Sequence, residues 1–326
     1  MRRRQFLRLL GGTAAWPLAA RAQQSAMPVI GLLSSRSSAT DAPLIAVMRQ
    51  GLNETGLVEG RNFTFDYRSA AGQYDRLASL AADLVHRQVA LIVAIGGETA
   101  ASAAKGATAT IPIVFVGGAD PVRTGIVSSL HRPGGNITGV SAFQVELEPK
   151  KLELLRELRP NAARIAVLVN PNTQYAENQV NDLKAAARSV GQEIDLLQAS
   201  TIRDIDAAFK RIAQMRTDAL LVATDPFFFT RATQLVVLAT RHAIPTLYHR
   251  REFVVIGGLI SYGTNTEDLY RLLGIYAGRV LKGEKPGDLP IQLPTKYELV
   301  VNLATARALD LDVPATLLAR ADEVIE

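Results

Sequence analysis

Cysteine is absent from all 326 residues. That excludes disulfides, thiol catalysis, thiolate metal sites and the lipid-bearing cysteine of a bacterial lipoprotein. Histidine is scarce. His86, His131, His242 and His249 are scattered, with no HExxH and no i,i+4 pair, so the sequence offers no histidine metal site. No GxSxG nucleophile elbow occurs. GxGxxG and GxxxxGK(S/T) are also missing, which removes the usual phosphate loops of dinucleotide and nucleotide sites. Tryptophan occurs once, at Trp16. Acidic residues are missing from residues 1–22, which hold Arg2, Arg3, Arg4, Arg8 and Arg21. Long apolar runs are missing too: Leu9 to Ala20 is about 12 residues, against the roughly 20 a membrane helix needs.

The formal charge of +5 resides in that acid-free beginning. Without its five arginines, Lys plus Arg falls to 31 and equals Asp plus Glu. A neutral body argues against a nucleic-acid partner. The beginning itself reads as an export leader. Arg3-Arg4-Gln5-Phe6-Leu7-Arg8 resembles the twin-arginine motif, and Ala20-Arg21-Ala22 is an A-x-A cleavage signal. Cleavage near Ala22 is expected to release a soluble periplasmic protein.

Beyond the leader, short apolar strands alternate with amphipathic helices. Pro28 to Ser34, Val89 to Ile95 and Ile111 to Val116 read as buried strands of a parallel sheet. The stretch IPIVFVGGADPVRTGI, residues 111–126, predicts a strand, a glycine turn, a polar loop and then a helix carrying Ile126, Val127 and Leu130. After a helix over 149–158 the pattern restarts. Arg164 to Val169, Glu193 to Leu197, Ala219 to Ala223, Ile244 to Tyr248 and Gly257 to Tyr262 are the next strands, and Tyr297 to Leu303 the last. Two successive sets of this kind predict an α/β protein with two doubly wound parallel-sheet lobes. Right-handed crossovers put the strand-end loops on one side of each sheet, where α/β proteins bind ligands.

Those loops supply the candidate site. A carboxylate or zwitterion needs backbone N–H donors, hydroxyls at helix starts, and an acid for the ammonium. The first lobe offers Ser34, Ser35, Thr99, Asp120 and Pro121. The second offers Asn172, Thr173 and Asp225, with Tyr175, Phe227, Tyr248 and Tyr262 as walls or stacking faces. Asp120 and Asp225, in opposite lobes, are the expected partners of a ligand ammonium. Phe228 and Phe229 are expected to be buried on a helix face. No cofactor, metal or catalytic residue is indicated.

Longer phrases carry a resemblance. DPVRTGIV with RPGGNITGVS, then RHAIPTLYHRREFV, GGLISYG and PTKYELVVNLATARALDLDVPATLLARADEVI together resemble an ABC-transporter substrate-binding family that includes tryptophan- and other amino-acid-binding proteins. The resemblance covers essentially residues 28–326. It implies a type I periplasmic binding protein fold, strands crossing between lobes, and a solute clamped by hinge closure. The implied division is 28–142 plus 264–290 for one lobe and 143–263 plus 291–326 for the other. It implies a monomer that captures a small solute, an amino acid or related carboxylate, and passes it to an inner-membrane ABC permease. An exported sensory protein feeding a receptor and, less favoured, a periplasmic enzyme are the alternatives. A transcription regulator of similar architecture would need an N-terminal helix-turn-helix where this chain has its leader.

Overall fold

The computed structural model describes residues 27–326, so the expected leader lies outside the described residues. The first sheet contains β1 (Val29–Ser34), β2 (Thr64–Ser69), β3 (Leu91–Ile95), β4 (Ile113–Gly117) and β5 (Ile137–Ser141). All are parallel, in the order β2-β1-β3-β4-β5. The central strands are apolar and wholly buried, while β2, whose residues alternate, is half-exposed at the edge. One face is covered by α1 (Ser38–Glu54) and α10 (Thr266–Leu281), the other by α2 (Leu77–His86) and α3 (Glu98–Ala107).

The second sheet contains β6 (Arg164–Val169), β7 (Glu193–Gln198), β8 (Ala219–Val222), β9 (Thr246–Tyr248), β10 (Ile260–Thr264), β11 (Tyr297–Asn302) and β12 (Glu323–Ile325). Its order is β12-β11-β10-β9-β8-β6-β7, parallel except for the antiparallel pair β10–β11. Around it lie α4 (Glu148–Leu158), α5 (Ala176–Ser189), α6 (Ile202–Met215), α7 (Pro226–Thr230), α8 (Ala232–Arg241), α9 (Arg251–Val255), α11 (Leu303–Ala308) and α12 (Ala315–Arg320).

The chain passes between the sheets three times. It leaves after β5, returns after β10 as α10, and crosses again before β11. Before that last crossing it runs beside β5, where Ser141 N–H donates to the Gln292 carbonyl at 3.0 Å and Gln292 N–H to the Gly139 carbonyl at 3.0 Å. First-sheet pairing thus extends through Gln292. α10 is held on α1 by glycine: a Cβ on Gly274 would stand 2.0 Å from the Met48 carbonyl, and one on Gly51 2.0 Å from that of Arg271.

Two expectations change. No helix follows β4. Residues 121–126 form turns, and Gly125, Gly134 and Gly135 all take positive φ before β5 begins. Ile126 and Val127 still plug the first core, so their spacing reflects burial without helicity. The expected last strand, Tyr297 to Leu303, is also not final: β12 adds to the sheet edge beside β11.

Candidate functional site

The strand-end loops of the two sheets meet over a pocket. It is lined by Arg36, Gly96 to Glu98, Val116 to Gly118, Leu269 and Tyr270 on one side, and by Tyr175, Thr224 to Pro226, Phe229, His249 and Arg250 on the other. Ala142 and Gln144, from the first crossing segment, close one end. The free cavity is only about 30 Å³, room for a few waters at most. Any solute larger than that requires the lobes or the lining side chains to move apart.

Glycine permits this approach. A Cβ on Gly97 (φ +100°) would lie 3.0 Å from Pro226 Cγ, and one on Gly118 3.4 Å from Thr224 Cγ2. Polar contacts also span the gap. Tyr74 Oη donates to Asp225 Oδ1 at 3.3 Å. At the rim, Ser102 Oγ donates to Gln174 Oε1 at 2.6 Å, Gln174 Nε2 to the Thr124 carbonyl at 2.9 Å, and Arg123 pairs with Asp182 at 3.0 Å. Arg123 and Asp182 are partly solvated, and such pairs contribute roughly 0.2–1 kcal/mol. Arg123→Ala is therefore expected to weaken solute binding by no more than about fivefold, read by calorimetry, with Asp182→Ala and the double variant completing the cycle. A loss of about 100-fold would move the main closing force from the pocket to the rim.

Of the twelve residues picked from sequence, the pocket brings together two, Asp225 and Tyr175. Asp225 lies in the loop after β8 and caps α7, its Oδ1 accepting the Phe227 N–H at 2.8 Å and Asn170 Nδ2 at 2.9 Å. Tyr175 is buried and donates to the Thr224 carbonyl at 3.3 Å. The others are placed elsewhere. Ser34 donates to Asp41 beneath the loop, and Ser35 donates to the Gly96 carbonyl at 2.5 Å, bracing β1 to β3. Thr99 is half-buried in the first turn of α3, and the cap position belongs to Gly97. Asp120 is spent on its own turn, accepting the Val122 N–H at 2.8 Å. The buried Pro121 lends its carbonyl to Ile126 at 2.9 Å. Asn172 is exposed, and Thr173 is buried outside the pocket lining. Phe227 and Tyr248 are core residues, Tyr248 stacked on Phe253 at 4.6 Å, and Tyr262 packs beside Tyr297 at 6.1 Å.

Phe228 is fully buried as expected, but Phe229 is not. α7 has five residues, so Phe227 and Phe228 fill the core while Phe229 projects into the pocket. There its ring lies 4.7 Å from the Arg250 guanidinium and 5.8 Å from that of Arg36. Arg36, Glu98, Gln144, Phe229, His249, Arg250 and Tyr270 line the pocket without having been picked. Arg36 and Glu98 stand beside residues that were, in SSRSS and GGET. A charged residue flanked by serine or glycine at a strand end was the available signal.

The two arginines differ. Arg36 Nε pairs with Asp41 at 2.6 Å and its Nη2 donates to Tyr270. Burial opposes its charge, but Tyr270 and Asp41 outweigh that and raise its pKa. Among the described residues the Arg250 guanidinium makes one hydrogen bond, from Nη1 to Thr266 Oγ1 at 3.2 Å, and burial lowers its pKa. Its remaining donors suit a planar carboxylate. The acids are pushed the other way: burial raises both Asp225 and Glu98 to about 7.

An acid with a higher pKa folded than unfolded holds its proton more tightly when folded. The stability it contributes is full below the unfolded values of 3.8 and 4.5 and declines as pH rises to about 7. A bound ammonium favours the carboxylate forms and reverses that trend. The thermal shift given by a saturating ligand that carries an ammonium is expected to be larger at pH 8 than at pH 5.5. Equal shifts would show that neither carboxyl meets the ligand's charge.

Behind the pocket, Lys151 and Glu148 form an ion pair at 3.4 Å with no exposed side-chain surface. Lys151 Nζ donates to the Gln144 carbonyl at 3.0 Å and to Thr224 Oγ1 at 2.8 Å. Glu148 Oε1 accepts the Thr224 N–H at 2.7 Å and Gln179 Nε2 at 3.1 Å. This network fixes Gln144 and Thr224, one at a crossing and one in the second lobe.

Comparison with known proteins agrees with this geometry. The family description "ABC transporter substrate binding protein" matches residues 41–325. A tyrosine-binding protein of Clostridioides difficile strain R20291 is 30% identical, over 80% of this chain and 75% of that protein. The crystal structure of a Streptococcus pneumoniae ABC domain with L-Trp is 26% identical with a TM-score of 0.82, covering 91% of this chain and 99% of that one. A ligand-free, open substrate-binding protein with adhesive properties from Clostridium difficile is 27% identical over the same shares, yet its TM-score is 0.64. Identity does not separate these two structures, so the difference is one of shape, and this chain is closer to the ligand-bound one. With two parallel-sheet lobes of the type I periplasmic binding protein fold, the chain belongs to the ABC transporter substrate-binding protein family.

Proposed function

We propose that this protein captures an amino acid in the pocket between its lobes and presents it, closed, to an inner-membrane ABC permease. One observation carries the reading. A single buried pocket combines two carboxyls, Asp225 and Glu98, with a guanidinium that retains free donors, Arg250, and with the aromatic faces of Phe229, Tyr175 and Tyr270. Opposite charges beside apolar rings are the complement of a zwitterion with an apolar or aromatic side chain. The tyrosine-binding relative and the L-Trp complex support that class of solute.

Binding works here by population shift. Contacts made to both lobes at once exist only in the closed state, so a solute that makes them favours closure. No covalent step is involved, and the protein acts as a monomer. The periplasmic location rests on the twin-arginine leader. Among the described residues no helix is long and apolar enough to cross a membrane. Calorimetry with L-tyrosine, L-tryptophan, the branched-chain amino acids and simple sugars tests the reading. Micromolar or tighter binding of at least one amino acid, recovered unchanged afterwards, is expected. Binding of sugars alone, or turnover of the solute, would overturn it.

A further inference from the structure

Each lobe sets one aromatic side chain against the core of the other. Phe229 of α7, in the second lobe, packs on the first-lobe core of β1, β3, α1 and α10 as well as on its own. Tyr74 does the reverse. It opens a single helical turn, Tyr74–Arg76, that leads into α2 of the first lobe. Yet its half-buried ring packs on the second-lobe core that contains Phe227 and Phe228, as well as on its own. Its hydroxyl is shared between the two oxygens of Asp225, at 3.3 Å to Oδ1 and 3.5 Å to Oδ2. Burial, with the Asp225 carboxylate beside it, pushes its pKa well above the ordinary value, so it keeps the proton that it donates.

Both sides of this contact are held by their own lobe. Ala70 N–H donates to the Ser34 carbonyl at 2.8 Å and Gly72 N–H to the Ser35 carbonyl at 2.8 Å, which fastens the turn before Tyr74 to the end of β1. Gly72 takes φ +87°, and a Cβ there would lie 4.0 Å from Phe227 Cδ2, so the lobes touch here. Opposite, Asp225 is fixed by Asn170 and by the Phe227 N–H. The rim pair Arg123–Asp182 is partly solvated and weak, whereas an aromatic ring set on two cores withdraws far more surface from water. Tyr74 also lies outside the pocket lining, so whatever it adds to retention acts through closure.

We propose that Tyr74 is a positioning residue that bolts the closed lobes together and sets how long a captured solute is retained. The proposal rests on reading the interlobe pocket as the solute site. Release requires the lobes to part, and parting withdraws Tyr74 from the second-lobe core. A solute that enters the open form reaches the pocket before this contact exists. Tyr74 therefore acts on dissociation and hardly on association. Its hydrogen bonds to Asp225 are long, so the packing of the ring supplies most of the effect.

Radiolabelled L-tyrosine and L-tryptophan, chased with unlabelled amino acid, test it. Tyr74→Ala is expected to speed dissociation of the amino acid that binds by at least about 30-fold, with association changed less than about threefold. Tyr74→Phe keeps the ring and should stay within roughly fivefold of the parent in both rates. Circular dichroism checks folding, and Tyr74→Leu, which still covers the first-lobe core, is read in the same way if Tyr74→Ala does not fold. Unchanged dissociation, or association slowed as much as dissociation is sped, would overturn the bolt. A second measurement needs no solute. Ser102 and Gln174 meet across the gap at 2.6 Å, and with Ser102→Cys and Gln174→Cys the only thiols in the chain, their disulfide reports closure. Adding Tyr74→Ala should slow that oxidation at least about fivefold, and an unchanged rate would overturn the proposal. If neither amino acid binds while the oxidation slows, the bolt stands and the amino-acid reading falls.

Discussion

Arg250→Met is expected to weaken amino-acid binding by on the order of 100-fold or more, with the fold retained. The Arg250 guanidinium lines the pocket and makes only one hydrogen bond among the described residues, to Thr266. Its free donors are therefore available to a ligand carboxylate, and truncating one member of a buried charge pair costs roughly 2–5 kcal/mol. Methionine keeps the side chain's length against Phe229, where the guanidinium now lies 4.7 Å from the ring. Arg250→Lys restores the charge without the planar fork and should recover only part of the loss. The control is the decarboxylated amine, whose affinity should change little. If amine and amino acid lose affinity equally, Arg250 acts by holding Thr266 and the crossing before α10. Equal affinity of mutant and parent protein for the amino acid would remove Arg250 from the site.

The second large effect is on stability. Lys151→Met leaves the Glu148 carboxylate buried without its cation, and unpairing a buried ion pair costs about 3–5 kcal/mol. That is a large share of the roughly 5–15 kcal/mol that holds a typical domain folded. Urea unfolding followed by circular dichroism should show it as a lower midpoint. Glu148→Gln with Lys151→Met removes both charges and should recover part of the loss. A single mutant within about 1 kcal/mol of the parent would mean that water reaches the pair. The position is coupled to function, because Lys151 holds Gln144 and Thr224, which both line the pocket.

The residues read from sequence divide along a physical line. Strands such as Leu91–Ile95 and Arg164–Val169 are continuous apolar runs, and burial on both faces leaves that mark on any parallel sheet. Two alternating series of strands and helices give two lobes in the same way. The run after Gly125 misled because Ile126 and Val127 are buried from a loop, and apolar spacing reports burial before it reports helix. The short strand Glu323–Ile325 is an edge strand of three residues, too brief for periodicity to show.

The site was legible as a set of loops and less so as residues. Loops of one sheet face those of the other, but which side chain turns into the gap depends on local geometry. Hydroxyls and Asp120 were attractive for their chemistry, yet their backbones sit in turns that use those groups. Ser34, Ser35 and Asp120 are consumed in this way. Glu98 and Arg250 have polar atoms left over. Whether a polar group is already satisfied is a three-dimensional property, and no spacing in the chain reports it. Tyr248 makes the same point for aromatics: beside His249 in sequence, it lies in the core while its neighbour lines the pocket.

Two facing half-sites that grip a solute by closing form the centre of this account, and the cysteine-free chain permits a direct test. Cysteines placed at the exposed positions Ala109 in the first lobe and Lys184 in the second would be the only thiols and could carry spin labels. Double electron–electron resonance then reads the distance between the lobes with and without L-tyrosine or L-tryptophan. The amino acid that binds is expected to shorten and narrow that distance distribution. A distribution unchanged at saturating ligand would contradict it.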